Sequence, residues 1–103
     1  MKESELQKLI LDYLIYQKCF VMRMNTGATK IGDRFIRFGK AGMSDIYMLH
    51  GGRSYWIECK ATKGKLSSAQ IEFQKDIIKN GGVAITAYKI EDIMSLFEYT
   101  IIK

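Results

Sequence analysis

Apolar residues recur with helical spacing near the start of the chain, and they are Leu6, Leu9, Ile10, Tyr13 and Leu14. Apolar side chains that are three and four residues apart fall on one face of a helix. The spacing therefore predicts an amphipathic helix over residues 3–17.

Shorter apolar runs in the middle of the chain predict strands. Two of them cover residues 20–24 and 34–38, and we expect a loop over residues 25–28 between them. Two further runs, residues 46–49 and 55–60, flank a segment that contains two glycines. A short connection with glycine is typical of a hairpin, so these two runs are predicted to pair as neighbouring strands.

The last third of the chain predicts a helix, a strand and a second helix. Ser67 and Gln70 match the capping box that starts a helix, and the glycine pair at 81–82 is typical of a helix end. Residues 83–87 then predict a buried strand, and residues 90–97 predict a short helix.

The order of these elements predicts one α/β domain over residues 1–103, with a mixed sheet and helices on both of its sides. The strand, helix and strand between Glu58 and Val83 call for a right-handed parallel crossover. Residues 99–102 are apolar enough for an edge strand or a docked tail.

Composition indicates an ordinary globular protein. The chain has 103 residues, 48% of them hydrophobic and 26% charged, and no apolar run is long enough for a membrane span. Residues 1–5 are too polar to open a signal peptide, so we expect a cytoplasmic protein. Cys19 and Cys59 lie far apart without a CxxC motif or a histidine next to them, which argues against zinc and implies no disulfide.

The net charge of +5 is concentrated in the middle of the chain, where residues 20–70 contain nine basic and three acidic side chains. Such an excess is typical of a protein that binds a polyanion, although a solvated basic surface is the ordinary alternative. The basic residues that bracket Asp45 and Glu58, and that we predict to contact the polyanion, are Arg23, Lys30, Arg34, Arg37, Lys40, Lys63 and Lys65.

Asp45, Glu58 and Lys60 are the residues best suited to chemistry. Side chains alternate along a strand, so Glu58 and Lys60 are predicted to share one face of the sheet. Mg²⁺ takes oxygen ligands and keeps several waters, so Asp45, Glu58 and the main-chain carbonyl of Cys59 would be enough protein ligands. Lys60 would orient or help deprotonate a water molecule that attacks a phosphodiester. The structural alternative is an exposed Glu-Lys pair with Asp45 in a turn.

A wider pattern surrounds these residues. It consists of Gly39-x-x-Gly42-x-x-Asp45, then Ile57-Glu58-Cys59-Lys60, then Lys63-Gly64-Lys65-Leu66-Ser67-x-x-Gln70. The chain thereby resembles the PD-(D/E)XK nuclease superfamily, and more closely its VRR-NUC family of virus-type replication and repair nucleases. The family usually has proline where this chain has Ser44, a change that removes no ligand. The resemblance implies a restriction-endonuclease-like fold.

The same resemblance implies roles for individual residues. Asp45 and Glu58 would be the metal ligands, Lys60 the catalytic lysine and Gln70 a polar group that supports the site. The family also places a glutamate of the N-terminal helix in the site. Glu3 lies near the edge of the predicted apolar stripe and Glu5 is turned away from it, so Glu3 is the candidate. The alternative for Glu3 is a favourable acidic residue in a first helical turn.

The resulting expectation is a Mg²⁺- or Mn²⁺-dependent endonuclease that cleaves DNA, with a preference for branched substrates such as four-way (Holliday) junctions. Short members of the family resemble homodimeric, virus-encoded enzymes, which implies a dimer in a bacterial or phage-infected cell. Tyr99, Ile101 and Ile102 are candidate interface residues. The alternatives are a catalytically inactive DNA-binding module of the same fold and an RNA-binding protein, for which no aromatic RNA-binding motif is present.

Overall fold

The computed structural model describes residues 1–24 and 27–98, and it describes side chains within residues 1–24, 31–34 and 39–97. Three helices and six strands make up this part of the chain. In order they are α1 (Glu3–Tyr16), β1 (Phe20–Arg23), β2 (Gly27–Ile31), β3 (Arg34–Phe38), β4 (Ile46–His50), β5 (Arg53–Cys59), α2 (Ser68–Lys79), β6 (Val83–Ala87) and α3 (Glu91–Glu98).

Four strands form the main sheet, in the order β1-β4-β5-β6. The β1–β4 and β4–β5 pairs are antiparallel and the β5–β6 pair is parallel, so the sheet is mixed. The predicted 46–60 hairpin and the predicted parallel step from Glu58 to Val83 are both confirmed. The connection after β5 contains helix α2, which carries the chain back to the end of the sheet at which β5 begins. Strand β6 therefore runs in the same direction as β5.

The helices lie on both faces of this sheet, as predicted. Residues of α1, such as Ile10, and Ile93 of α3 share a buried core with Met48 and Ile57 of the central strands. On the other face, Phe73 of α2 packs its ring edge against Trp56. Because Ile57 and Trp56 are consecutive strand residues, they must project to opposite sides, which fixes α2 on the face away from the core of α1 and α3.

The segment between β1 and β4 differs from the prediction. Residues 25–28 were expected to form a loop, but strand β2 begins at Gly27 and pairs antiparallel with β3 in a separate two-stranded ribbon. Five strands therefore precede α2, one more than the four runs that were predicted to form strands. Residues 25–26 of the predicted loop and the tail at 99–102 lie outside the described residues. No helix in the part of the chain that the structure describes is long and apolar enough to cross a membrane.

Helix α1 ends one residue earlier than predicted, in a Schellman motif. The N–H of Lys18 donates to the carbonyl of Ile15 at 2.9 Å, and the N–H of Cys19 donates to that of Leu14 at 3.1 Å. This turn requires a left-handed residue, and Lys18 adopts a φ of 62° although it is not glycine. The turn delivers Cys19 directly into the start of β1.

Candidate active site

The candidate site lies at the end of the sheet where β4 begins and β5 ends. Asp45 directly precedes β4, and its carboxylate Oδ2 accepts a hydrogen bond of 2.8 Å from the N–H of Cys59. The carbonyl of Asp45 accepts from the N–H of Met24 at 2.7 Å, which extends the β1–β4 pairing by one step. Backbone on both neighbouring strands therefore holds Asp45 in place.

Glu58 is the next-to-last residue of β5 and is only 3% exposed. Its Oε2 accepts a hydrogen bond of 3.1 Å from the side-chain amide of Gln70. Its Oε1 is buried without a hydrogen-bond partner among the described residues. While both carboxyl groups are ionised, no described group donates to this oxygen, and a buried polar atom without a partner is costly.

The two carboxyl groups are close enough to share a hydrogen bond, and this shapes the ionisation of the pair. Burial, then the charge of Asp45 and the hydrogen bond with it, raise the pKa of Glu58 to about 8, while the charge of Lys60 lowers it and that of Glu3 raises it. Two neighbouring carboxylates in a buried place resist being ionised together. A divalent cation bound between the two carboxylates would offset their repulsion and favour the ionised form of both. These two residues therefore fit a metal.

Gln70 makes the contacts that both of its predicted roles require. Its backbone N–H donates to Ser67 Oγ at 3.1 Å, and its side-chain oxygen accepts from the N–H of Ser67 at 2.9 Å, which completes the capping box of α2. The amide nitrogen remains for Glu58. The structure therefore brings Gln70 to the carboxylate pair.

Glu3, rather than Glu5, approaches the site. The Oε2 atom of Glu3 lies 3.4 Å from the N–H of Ala61, just beyond the end of β5. Glu5 instead accepts from the backbone N–H of Lys2 at 2.8 Å and caps its own helix. Helical geometry favoured Glu3 in the sequence, and Glu3 is the one of the two whose side chain reaches the end of β5.

Lys60 follows β5 and is half-buried. Its N–H donates to the carbonyl of Ala87 at 2.9 Å, so the β5–β6 pairing continues to this residue. The positive charge of Lys60 lowers the pKa of Glu58 and so opposes the rise caused by burial and by Asp45. The thiol of Cys59 points into the core instead, where burial and the nearby carboxylates raise its pKa to about 12.

The predicted metal ligands are two carboxylates and one backbone carbonyl. Within residues 1–24 and 27–98, no three His, Cys, Asp or Glu side chains gather closely enough to hold a metal ion by themselves. The pair of Asp45 and Glu58 is thus a partial ligand set. It suits an ion such as Mg²⁺, which is commonly held by one or two carboxylates and completes its shell with water.

Six of the seven basic residues predicted to contact DNA belong either to the segments beside the carboxylate end of the main sheet or to the β2–β3 ribbon. Arg23 ends β1 beside the start of β4, where its Nε donates to Gln7 at 2.6 Å, and Lys63 and Lys65 are exposed in the loop after Lys60. Arg34 is exposed at the start of β3. Lys30 and Arg37 belong to the β2–β3 ribbon, with side chains outside the described set.

Lys40 lies elsewhere. It lines a cavity of about 460 Å³ beside Trp56 and Phe73, which reaches the C-terminal end of α2. Lys40 therefore faces a cavity whose lining does not include the carboxylates.

Gly42 packs against the start of α2, a role that was not predicted from the sequence. Gly42 has a φ of 75°, and a Cβ atom at this position would lie 2.1 Å from the carbonyl oxygen of Ala69 and 2.8 Å from the N–H nitrogen of Gln70. The segment before Asp45 therefore presses directly on the first turn of α2. The Gly-x-x-Asp spacing was the available signal, because it places this contact three residues before Asp45.

We expect Gly42→Ala to disturb the site much more than Gly52→Ala. Both glycines have nearly the same positive φ, 75° and 79°, but a Cβ at Gly52 meets nothing within 4 Å. Both variants should lose about 1–2 kcal/mol of unfolding free energy to backbone strain, and Gly42→Ala about 1–3 kcal/mol more from overpacking. Urea unfolding of the two variants tests this, and equal losses would contradict it.

The pKa of Glu58 predicts how stability changes with pH in the metal-free protein. Its value of about 8 lies above the ordinary 4.5. Between these values the folded chain keeps a proton that the unfolded chain has released, so this group's contribution to stability is full below pH 4.5 and is lost as pH rises toward 8. Glu58→Gln removes the titration.

The variant's melting temperature minus that of the wild type should therefore grow between pH 5 and pH 8. Thermal unfolding of both proteins in a chelator at several pH values measures this difference. A difference that stays constant over that range would show that Glu58 ionises normally in the folded chain.

Comparison of the sequence with protein-family models and with characterised proteins gave no match. The resemblance to VRR-NUC nucleases thus remains an expectation based on the motifs themselves. Any function assigned to this site has to follow from its residues and their geometry.

Proposed function

We propose that the chain is a Mg²⁺- or Mn²⁺-dependent endonuclease that hydrolyses phosphodiester bonds in DNA. The observation that supports it most is the pairing of Asp45 with Glu58 at one end of the sheet, with one oxygen of Glu58 buried and unsatisfied. A structural role alone would not need two mutually destabilising carboxyl groups with a lysine beside them. Strained or unsatisfied groups of this kind concentrate at functional sites.

Asp45 and Glu58 would hold the metal, together with the main-chain carbonyl of Cys59. Such an ion supplies charge neutralisation at the phosphoryl oxygens and makes bound water more acidic. Gln70 positions Glu58 by binding Oε2, and so directs the other oxygen toward the site. The N–H of Cys59 positions Asp45 in the same way.

Lys60 would act on the nucleophile. Its ammonium group is close enough to Glu58 to oppose the rise in the pKa of that residue. A cation there orients a water molecule against the phosphorus and offsets the negative charge that builds up in the transition state. Glu3 also raises the pKa of Glu58 through its charge and would contribute to the same site from α1.

The basic residues near the carboxylates would bind the DNA backbone. Near the carboxylate end of the sheet, Arg23 pairs with the first residue of β4, and Lys63 and Lys65 follow Lys60 in the chain. Arg34 lies at the start of β3. Contacts with phosphates release condensed counterions, so affinity should fall steeply as salt rises. The resemblance to virus-encoded nucleases leads us to propose the cytoplasm of a bacterial or phage-infected cell as the location of this activity.

A homodimer acting on branched DNA is part of the proposal. Phe20, Met22 and Leu49 are 57%, 43% and 43% exposed and lie together on β1 and β4, since Phe20 pairs directly with Leu49. This apolar strip is uncovered on the face that carries α2. Tyr99, Ile101 and Ile102, suggested from the sequence, lie outside the described residues. Two-fold symmetry would supply the two cuts that a four-way junction needs.

Cleavage should require a divalent metal and the named side chains. Asp45→Asn, Glu58→Gln and Lys60→Ala each remove transition-state stabilisation of several kcal/mol, so cleavage should fall about a hundredfold or more. Lys89→Ala, an exposed lysine before α3, is the matched control and should cleave normally. Linear, flapped, splayed and four-way DNA with Mg²⁺, Mn²⁺ or EDTA would measure this.

The same assay separates the alternative function. DNA binding without cleavage by the wild type in both metals would indicate an inactive binding module. Lys60→Ala should bind DNA nearly as tightly as the wild type, because it loses one charge of the basic surface. Cleavage that persists in EDTA would contradict the metal-dependent mechanism.

The dimer is tested by Phe20→Lys. A charged residue in the apolar strip should convert a dimer to a monomer and weaken preference for four-way over linear DNA, because desolvating lysine in an interface is costly. Ile78→Lys replaces an equally exposed apolar residue, 62% exposed on α2, and should remain dimeric. Light scattering gives the masses, and a monomeric wild type would refute the dimer while leaving the cleavage chemistry intact.

A further inference from the structure

Cys19 and His50 meet at the end of the sheet opposite to the carboxylates. Phe20 and Leu49 are the last residues paired between β1 and β4, and the next position outward on each strand is Cys19 and His50. Their side chains are in contact, with 3.7 Å between Cys19 Sγ and His50 Nδ1. The two residues are 31 positions apart in the chain, so no histidine stands next to Cys19 in the sequence. The register between β1 and β4 brings His50 beside it.

Neighbouring structure fixes both partners. The Schellman turn after α1 sets the backbone of Cys19 through its hydrogen bond to Leu14. The ring of Phe97 packs against the ring of His50, with 5.3 Å between their centroids. Cys19 is half-buried against the core and His50 is exposed, so the pair faces solvent from the His50 side.

The separation of the two donor atoms matches a metal site. Zinc binds sulfur at about 2.3 Å and imidazole nitrogen at about 2.0–2.1 Å, with tetrahedral angles. Those values place the two ligand atoms about 3.5–3.6 Å apart. The observed 3.7 Å is about 0.1–0.2 Å longer than that separation. The two donor atoms therefore lie close to the spacing that a shared zinc ion requires.

We propose that Cys19 Sγ and His50 Nδ1 form a two-ligand site for a soft divalent cation, with Zn²⁺ as its typical occupant. Binding releases the thiol proton to solvent and forms the S–Zn and N–Zn bonds, while water fills the remaining positions. Thiolate and imidazole select zinc over Mg²⁺, which prefers oxygen. His50 lies five residues beyond Asp45 on the same strand, about 16 Å away, so this site is separate from the proposed nuclease centre.

Cobalt titration of the full chain is the direct test. Co²⁺ occupies zinc sites and gives a near-ultraviolet charge-transfer band when a thiolate is a ligand, and added Zn²⁺ should remove that band. We expect the band in the wild type, its loss in Cys19→Ser, and at least a tenfold weaker apparent affinity in His50→Gln. Asp45→Asn, the control for the carboxylate centre, should keep the band.

Absence of the band in the wild type would overturn the proposal, and so would its persistence in Cys19→Ser. Unchanged affinity in His50→Gln would also overturn it, because the contact would then be a plain S–H···N hydrogen bond. None of these results depends on DNA cleavage, so they are distinct from failure of the nuclease proposal.

Alkylation provides a second measurement that does not require a substituted cysteine. Zn²⁺ should slow the reaction of Cys19 with iodoacetamide at least tenfold in the wild type and have little effect in His50→Gln. Peptide mass spectrometry distinguishes Cys19 from the buried Cys59. Equal rates with and without Zn²⁺ in the wild type would refute the site even if Cys19→Ser failed to fold.

Discussion

The candidate site depends on the orientation of one amide, that of Gln70. Its oxygen is already used at the start of α2, where it accepts from Ser67, so only its NH₂ group can face Glu58. An amide turned the other way would place two oxygens against each other. The capping box therefore does more than begin a helix. It dictates which oxygen of Glu58 is satisfied and which is left open.

The same contact explains why the segment before Asp45 is so closely packed. The start of α2 has to lie near the end of β5 for Gln70 to reach Glu58, and Gly42 provides the room for that approach. Ser44, also buried with a hydroxyl that lacks a partner among the described side chains, belongs to this segment. The sheet end thus combines a tight backbone contact with buried polar groups, an arrangement that favours chemistry at some cost in stability.

The sequence predicted the elements with strong local signals. Helix α1 follows from an apolar stripe, α2 from its capping box, and the β4–β5 hairpin from its glycines, so the carboxylates, Lys60 and Gln70 could be expected at one place. Strand β2 was missed because Gly27–Ile31 begins with glycine and has few apolar residues. Its signal was the Gly32-Asp33 pair between the two strands, a dipeptide typical of tight hairpins. Helical geometry also selected Glu3 over Glu5.

Contacts between distant parts of the chain could not be predicted in this way. The approach of Gly42 to Ala69 depends on where a helix docks, and the meeting of Cys19 with His50 depends on the register between β1 and β4. Both are set by the packing of the whole sheet. A local pattern of residues contains no information about either distance.

The ribbon of β2 and β3 has a thermodynamic consequence. Its strands pair with each other and with no other strand in the described chain, and a two-stranded ribbon by itself is marginally stable in water. Its backbone hydrogen bonds can therefore open without opening the main sheet, so its amides should exchange with solvent faster than those of β4 and β5. Binding of a polyanion that orders this ribbon would therefore cost conformational entropy. Binding at the carboxylate end of the main sheet, which is already ordered, would not.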